Sequence, residues 1–125
     1  MESFKHMTSL KELRLISLDL NHVHTKELVH SISDIKTLKI LDLSHNHIQS
    51  MEEISHLLSK NQYIQELNLE GNPIGKIEDF RYLLVGMANN VSVVKFSFEL
   101  KRILLDEQIH ESDKIDKKEI TLLEN

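Results

Sequence analysis

Hydrophobic and polar positions along the chain follow a pattern that returns at a nearly constant spacing. The stretch LKILDLSHNHI, residues 38–48, has apolar residues at its positions 1, 4, 6 and 11 and an asparagine at position 9, and IQELNLEGNPI, residues 64–74, repeats that arrangement. Weaker copies begin at residues 10, 91 and 117, so the five starts are separated by 28, 26, 27 and 26 residues. A fixed period of this length is typical of repeat architectures, in which each unit is one supersecondary element.

Each unit predicts a short strand followed by a helix. Leu41 and Leu43 alternate with Asp42 and Ser44, which predicts a strand with one buried and one exposed face. Apolar residues at helical spacing follow in 51–61 and 76–87, and more weakly in 25–33 and 102–111. We therefore expect strands and helices to alternate along the chain.

An asparagine occupies the turn after the strand in three units. These residues are Asn46, Asn72 and Asn125, whereas Leu18 and Glu99 stand at this position in the first and fourth units. An asparagine amide both donates and accepts hydrogen bonds, so it can satisfy backbone groups that the turn would otherwise bury unpaired. We predict that stacked copies form a structural asparagine ladder, interrupted at both ends.

The pattern L-x-x-L-x-L-x-x-N-x-L at this period resembles the leucine-rich repeat, and the resemblance extends over essentially the whole chain. The stretch ISHLLSKNQYIQELNLEGNPIG is similar to the longer, helix-containing repeat subtype found in ribonuclease inhibitor. The resemblance implies an α/β fold, a solenoid that forms a fragment of a horseshoe. Its parallel strands would line the concave side and its helices the convex side.

The repeat register also predicts the domain organisation. We expect one domain over residues 1–125, with four repeats that start at Leu10, Leu38, Ile64 and Val91 and a fifth strand at 117–125; alternatively, residues 100–125 form a C-terminal cap. Neither end shows a capping element with a polar outer face, which a solenoid terminus ordinarily needs. The ends are therefore expected to be covered by further repeats, by a partner or by end-to-end self-association.

Composition excludes several classes of partner. The net charge is −5, with 15 basic and 20 acidic residues, so the chain lacks the basic surplus that nucleic acid or an anionic membrane would require. It contains no cysteine, which rules out disulfides and thiolate chemistry and favours an intracellular, cytoplasmic location. No apolar stretch is long enough to predict a membrane span.

The search for catalytic or metal-binding motifs gives no positive result. The sequence has no glycine-rich phosphate loop, no G-x-S-x-G elbow and no H-E-x-x-H helix, so we predict neither an enzyme nor a cofactor. Two H-x-H pairs, His22 with His24 and His45 with His47, are the unusual feature. Zinc would require three or four converging ligands, and the pairs are better interpreted as surface residues, so no metal site is predicted.

The position of a residue relative to the start of its unit predicts whether its side chain reaches the concave face. We predict that a protein partner binds there through Arg14, Ile16, Ile40, Asp42, Ser44, His45, Glu66, Asn68, Glu70, Lys95 and Phe98. The middle of this surface is acidic, which favours a partner with a basic centre and an apolar contact. Leu43 and Leu69 should be fully buried, whereas Asp42 should be exposed and contribute little to stability.

The function that follows is a non-catalytic protein–protein interaction module whose partner the sequence does not identify. The resemblance leaves two alternatives open: a regulatory part of an enzyme system, of the GTPase-activating or ubiquitin-ligase substrate-receptor type, and a structural subunit of a large assembly. A GTPase activator would need an essential residue acting on the nucleotide, and no context singles out Arg14, Arg81 or Arg102.

Overall fold

Strands and helices alternate through residues 12–99, and the described strands form one parallel sheet. The structure, a computed structural model, describes residues 9–101 and the backbone of 120–123. The elements in chain order are β1 (Glu12–Arg14), α1 (His22–Ile32), β2 (Ile40–Asp42), α2 (Glu52–Lys60), β3 (Glu66–Asn68), α3 (Ile77–Ala88), β4 (Lys95–Glu99) and β5 (Ile120–Leu123). The sheet order is β1-β2-β3-β4-β5, with every neighbouring pair parallel. The predicted α/β class is confirmed for this part of the chain.

Equivalent residues of successive units pair across the sheet. Leu13 pairs with Leu41, Leu41 with Leu67, and Leu67 with Phe96. The first three of these residues stand three positions after Leu10, Leu38 and Ile64, the predicted starts of their units.

The fourth unit is shifted by two residues from its predicted register. Because Phe96 pairs with Leu67, the residue equivalent to Ile64 is Val93 rather than Val91. Val91 and Val94, which the sequence places in the core, are 87% and 69% exposed. The cause is the length of the preceding helix: α3 has 12 residues and α2 has 9. The register of the fourth unit is ambiguous in the sequence because three closely spaced valines, Val91, Val93 and Val94, can each be placed at an apolar position of the repeat.

The three described helices all pack against one side of the sheet. A single cluster of buried apolar side chains joins the helices to the strands, and it includes Leu28, Ile54, Leu83, Leu41 and Phe96. Leu43 and Leu69 are both 0% exposed, which confirms the prediction for these positions. None of the described helices is long and apolar enough to cross a membrane.

The asparagine ladder is present at the two turns where its residues are described. The Asn72 side-chain Nδ2 donates to the carbonyl oxygens of Leu43 (2.9 Å) and Leu69 (3.1 Å), and its Oδ1 accepts from the backbone N–H of Asn46 (3.1 Å) and Ile48 (2.9 Å). Each amide therefore ties its own turn to the preceding one. Asn46 makes the equivalent bonds, donating to the carbonyl oxygens of Leu15 and Leu43 and accepting from the backbone of Leu18 and Leu20. Asn125 lies outside the described residues.

A second pair of asparagines, which the sequence analysis missed, links the helix-to-strand connections. Asn61 donates to the carbonyl oxygens of Ile32 and Ile35, and Asn90 donates to those of Leu58 and Asn61. Both Oδ1 atoms accept from the backbone N–H groups two and three residues further along. Their 29-residue separation is the signal that would have predicted the correct register of the fourth unit.

Candidate protein-interaction surface

One face of the sheet is turned away from the helices. Residues that alternate with the core residues Leu13, Leu41, Leu67 and Phe96 project from it. We call this the outer sheet face; it comprises Glu12, Arg14, Ile16, Ile40, Asp42, Ser44, Glu66, Asn68, Glu70, Lys95 and Ser97. The strand register arranges eight of them in two rows, Glu12–Ile40–Glu66–Lys95 and Arg14–Asp42–Asn68–Ser97.

Asp42 is buried on this face, contrary to the predicted exposure. It is only 6% exposed, its Oδ1 accepts from the Ser44 N–H at 3.0 Å, and its Oδ2 lies 3.5 Å from Nη1 of Arg14. Ser44 is also buried, at 5%. Neighbouring strands of a sheet lie about 4.8 Å apart, so side chains on both flanks cover a short side chain between them. Asp42 thus forms part of the outer sheet face and also accepts a hydrogen bond from the backbone at the end of β2.

Asn68 repeats this arrangement in the next unit. Its Oδ1 accepts from the Glu70 N–H at 2.9 Å, as Asp42 does from Ser44. A residue with a short side-chain oxygen is therefore used at the end of both β2 and β3 to stabilise the start of the turn.

Arg14 is held by two carboxylates. Its guanidinium lies 3.5 Å from Asp42 and 3.6 Å from Glu12, and its side chain is 49% exposed. The Arg14 charge is thus largely offset by residues of its own face.

Glu66 and Glu70 are the carboxylates of this face left available for a ligand. Both are half-buried, and neither makes a hydrogen bond or ion pair with another described side chain. They line a depression of about 130 Å³ together with Arg14, Asp42, Asn68, Lys95 and Ser97. Lys95, exposed and paired in register with Glu66, borders the acidic middle on one side, and Arg14 borders it on the other.

The apolar members of the predicted surface divide into exposed and buried residues. Ile16 is 43% exposed and Ile40 is half-buried, so both remain on the face. Phe98, predicted to be exposed, is only 1% exposed and lies with its ring centroid 5.2 Å from that of Phe96 and 6.4 Å from that of Phe80. The two-residue shift of the fourth unit places Phe98 at a core position, so it does not belong to the surface.

His45 is exposed and stands at a strained turn beside the surface. Its φ is +58°, and the equivalent residues of the neighbouring units, Ser17 and Gly71, also have positive φ, +56° and +77°. The His45 side chain covers Gly71 so closely that a Cβ atom on residue 71 would lie 2.8 Å from the His45 Cα. His45 therefore packs directly against the corresponding turn of the next unit.

The H-x-H pairs are not gathered into a ligand set. His24 lies in the first turn of α1, where its Nδ1 accepts a hydrogen bond from the backbone N–H of the capping residue Asn21. Across residues 9–101, no group of three or more histidine, aspartate or glutamate side chains is placed to hold a metal ion.

Comparison with known families identifies two of the repeats. Residues 35–50 and 60–76 match a family model described as a leucine rich repeat. These segments contain β2 and β3 together with the Asn46 and Asn72 turns. No curated protein and no solved structure matches the chain. By these two matches, residues 35–50 and 60–76 are similar to leucine-rich repeats.

Proposed function

We propose that the chain is a non-catalytic protein-interaction module that binds a protein partner through the outer sheet face. Leucine-rich repeats are generally protein–protein interaction modules. The observation that carries the proposal is the pair of carboxylates, Glu66 and Glu70, that lines the depression in this face without an ionic partner among the described residues.

The chemistry of the face defines the partner. Arginine or lysine side chains of the partner would bind at Glu66 and Glu70, while Arg14 and Lys95 would disfavour a partner that is basic over its whole surface. Ile16 and Ile40 supply apolar contact area beside the acidic middle. Opposite charges at the centre of an interface increase specificity and association rate more than they increase affinity.

The proposal includes the overall architecture expected from the sequence. We infer a single domain, residues 1–125, built as a solenoid of the ribonuclease-inhibitor-like subtype with the outer sheet face as its concave side. Support comes from the helix that follows each of β1, β2 and β3 and from the packing, in which these units bury their apolar side chains against their neighbours. An intracellular site of action belongs to the same proposal.

No observation favours the enzyme-regulating alternatives. A GTPase-activating role would need an arginine free to reach a partner's nucleotide, and Arg14 is engaged by Asp42 and Glu12. Arg81 is exposed on α3, away from the outer sheet face, and Arg102 lies outside the described residues.

Site-specific photocrosslinking in cell extract tests the proposed face. A crosslinking amino acid at position 70 should attach the same partner protein as one at position 66, because both side chains reach the depression. The matched control carries the crosslinker at His56, which is exposed on α2 on the other side of the sheet.

The affinity of the captured partner then provides the second measurement. Glu66→Lys and Glu70→Lys together should weaken binding by about a hundredfold or more, since two charge pairs are replaced by repulsion. Binding through this face would be refuted if the partner were captured from position 56 but not from positions 66 and 70. It would also be refuted if Glu66→Lys and Glu70→Lys together left the affinity unchanged.

A further inference from the structure

A second concave feature lies at the carboxyl ends of β2, β3 and β4. It is a cleft of about 310 Å³ formed by the three connections that follow these strands. It shares no lining residue with the depression in the outer sheet face.

The floor of the cleft is apolar. Ile48, Met51 and Ile74 line it and are 6%, 2% and 2% exposed, respectively. Their side chains pack into the core, so only part of each faces the cleft. The floor can therefore contact an apolar group without having to rearrange.

The rim of the cleft is cationic although the chain as a whole is acidic. His47, Lys76 and Lys101 line it, and all three are exposed. Neither lysine makes an ion pair with any described residue, in a chain whose net charge is −5. The acidic lining residue, Asp79, is 9% exposed and accepts the Met51 N–H at 3.0 Å, so its carboxylate is engaged at the start of α2.

Hydrogen bonds hold the walls of the cleft in place. The Ile48 N–H donates to Oδ1 of Asn72 at 2.9 Å, which places the first connection against the second. The Ile74 N–H donates to the Glu99 carbonyl oxygen at 2.9 Å and the Lys101 N–H donates to the Ile74 carbonyl oxygen at 2.8 Å, which joins the second connection to the third. The side chain of Lys101 lies against Gly75, where a Cβ atom would come within 2.6 Å of its Cδ.

We propose that this cleft binds an acidic segment of a protein partner, with a carboxylate between Lys76 and Lys101 and an adjacent apolar side chain on the floor. Charge complementarity supports this occupant. The cleft is at the lower end of ligand-pocket volumes, and six of its ten lining residues are exposed, so it fits a few side chains rather than an enclosed cofactor. The chain thus has two interaction surfaces of opposite charge preference.

Amide chemical shifts of the isotope-labelled 125-residue chain, titrated with a blocked Glu-Leu-Glu tripeptide, test this proposal. We expect saturable shifts confined to residues 47–51, 74–79 and 101. A blocked Gln-Leu-Gln peptide, which has the same shape without the charge, should bind at least about tenfold more weakly.

Lys76→Glu should also weaken binding of the Glu-Leu-Glu peptide by about tenfold or more, because it places a carboxylate at the rim. Lys26→Glu is the matched control: Lys26 is an exposed lysine on α1, outside the cleft, and its replacement should change the dissociation constant by less than about twofold. Lys76→Gln only removes the charge and should give a dissociation constant between those of the unchanged chain and Lys76→Glu. Because it introduces no carboxylate, it also separates an effect on binding from a folding defect caused by Lys76→Glu.

The proposal is overturned if no saturable shifts occur at the cleft with millimolar peptide, if the glutamine peptide binds equally well, or if Lys76→Glu and Lys26→Glu have equal effects. Photocrosslinking from positions 66 and 70 involves no residue that lines the cleft. Failure of the cleft proposal is therefore distinguishable from failure of the proposed function.

Discussion

At the scale of single residues, short polar side chains hold the turns of this protein together. Asn46, Asn72, Asn61 and Asn90 each satisfy backbone groups of two adjacent units. Among the described residues no buried side-chain nitrogen or oxygen lacks a hydrogen-bond partner. Because each amide serves several backbone groups, its loss should cost more than one ordinary hydrogen bond.

Asn72→Ala is expected to lower the free energy of unfolding by about 3 kcal/mol, since it leaves buried carbonyl and N–H groups of two turns unpaired. Urea denaturation measures the change. Asn89→Ala is the control, because Asn89 is exposed and its side chain donates only to the Val85 carbonyl oxygen at the end of α3; its cost should be about 0.5 kcal/mol or less. Equal costs would contradict a ladder that joins units.

Two glycines in the same turn should respond differently to alanine. Gly71 has a φ of +77°, and a Cβ there would meet the backbone of His45, so Gly71→Ala should destabilise by about 2 kcal/mol or more. At Gly75 the conflicting atoms belong to the flexible Lys101 side chain, which can move aside, so Gly75→Ala should cost less than about 1 kcal/mol. Thermal melts of both variants would check this order, and the reverse order would contradict the turn geometry.

Asp42 tests whether a surface residue also has a structural role. Asp42→Asn keeps an oxygen that can accept the Ser44 N–H, as Asn68 does for Glu70, and should change stability by less than about 1 kcal/mol. Asp42→Ala removes that acceptor and should cost about 1 to 2 kcal/mol. Equal stabilities of the two variants in urea would show that the bond to Ser44 contributes nothing.

At the scale of elements, close contact between neighbouring helices determines how the units stack. Gly86 of α3 lies against α2, where an added Cβ would be 2.9 Å from the Cα of Ser55 and 3.1 Å from Leu58. A glycine inside a helix costs about 0.5 to 1 kcal/mol relative to alanine, so the close approach of the helices is what makes it favourable here.

Gly86→Ala is therefore expected to destabilise the protein by about 1 to 3 kcal/mol, although alanine is the better helix former. Ala88 provides a comparison in the opposite direction: Ala88→Gly, at the exposed last residue of the same helix, should cost less than the figure of about 1 kcal/mol that applies to helix interiors. Stabilisation by Gly86→Ala in chemical denaturation would show that α2 and α3 are less closely packed.

At the scale of the whole molecule, one continuous core joins the described units. Buried side chains from β2, β3 and β4 and from the three described helices belong to the same cluster, and the partly buried Leu13 of β1 packs against it. In a repeat array each unit buries its apolar face against its neighbours, so a defect in one unit weakens the adjacent ones.

Leu69→Ala should consequently lower the stability of the whole cluster by about 2 to 5 kcal/mol, because Leu69 is 0% exposed. Circular dichroism during urea unfolding should show one transition displaced to lower urea, with no separate early step. Val85→Ala, at a position 56% exposed on α3, should change the midpoint little. If only part of the circular dichroism signal were lost in a first unfolding transition at low urea, the units would be unfolding separately.

The repeat pattern alone determined much of this protein: the α/β alternation, the pairing of the first three strands, the burial of Leu43 and Leu69 and the two described members of the asparagine ladder. These features could be predicted because each depends on a local sequence pattern that recurs. A parallel sheet in chain order then places equivalent residues of successive units side by side. The mixed acidic face followed from the same alternation.

Only the tertiary structure decided the features that depend on contacts between units. The longer α3 moved the fourth strand by two residues and buried Phe98, which the sequence had placed on the surface. Neighbouring strands buried Asp42 and Ser44, and the cationic cleft arose where three connections, distant in sequence, converge. The sequence of one unit does not contain the length or the side chains of the neighbouring units. The burial of these residues and the shape of the cleft are therefore determined only when the units pack together.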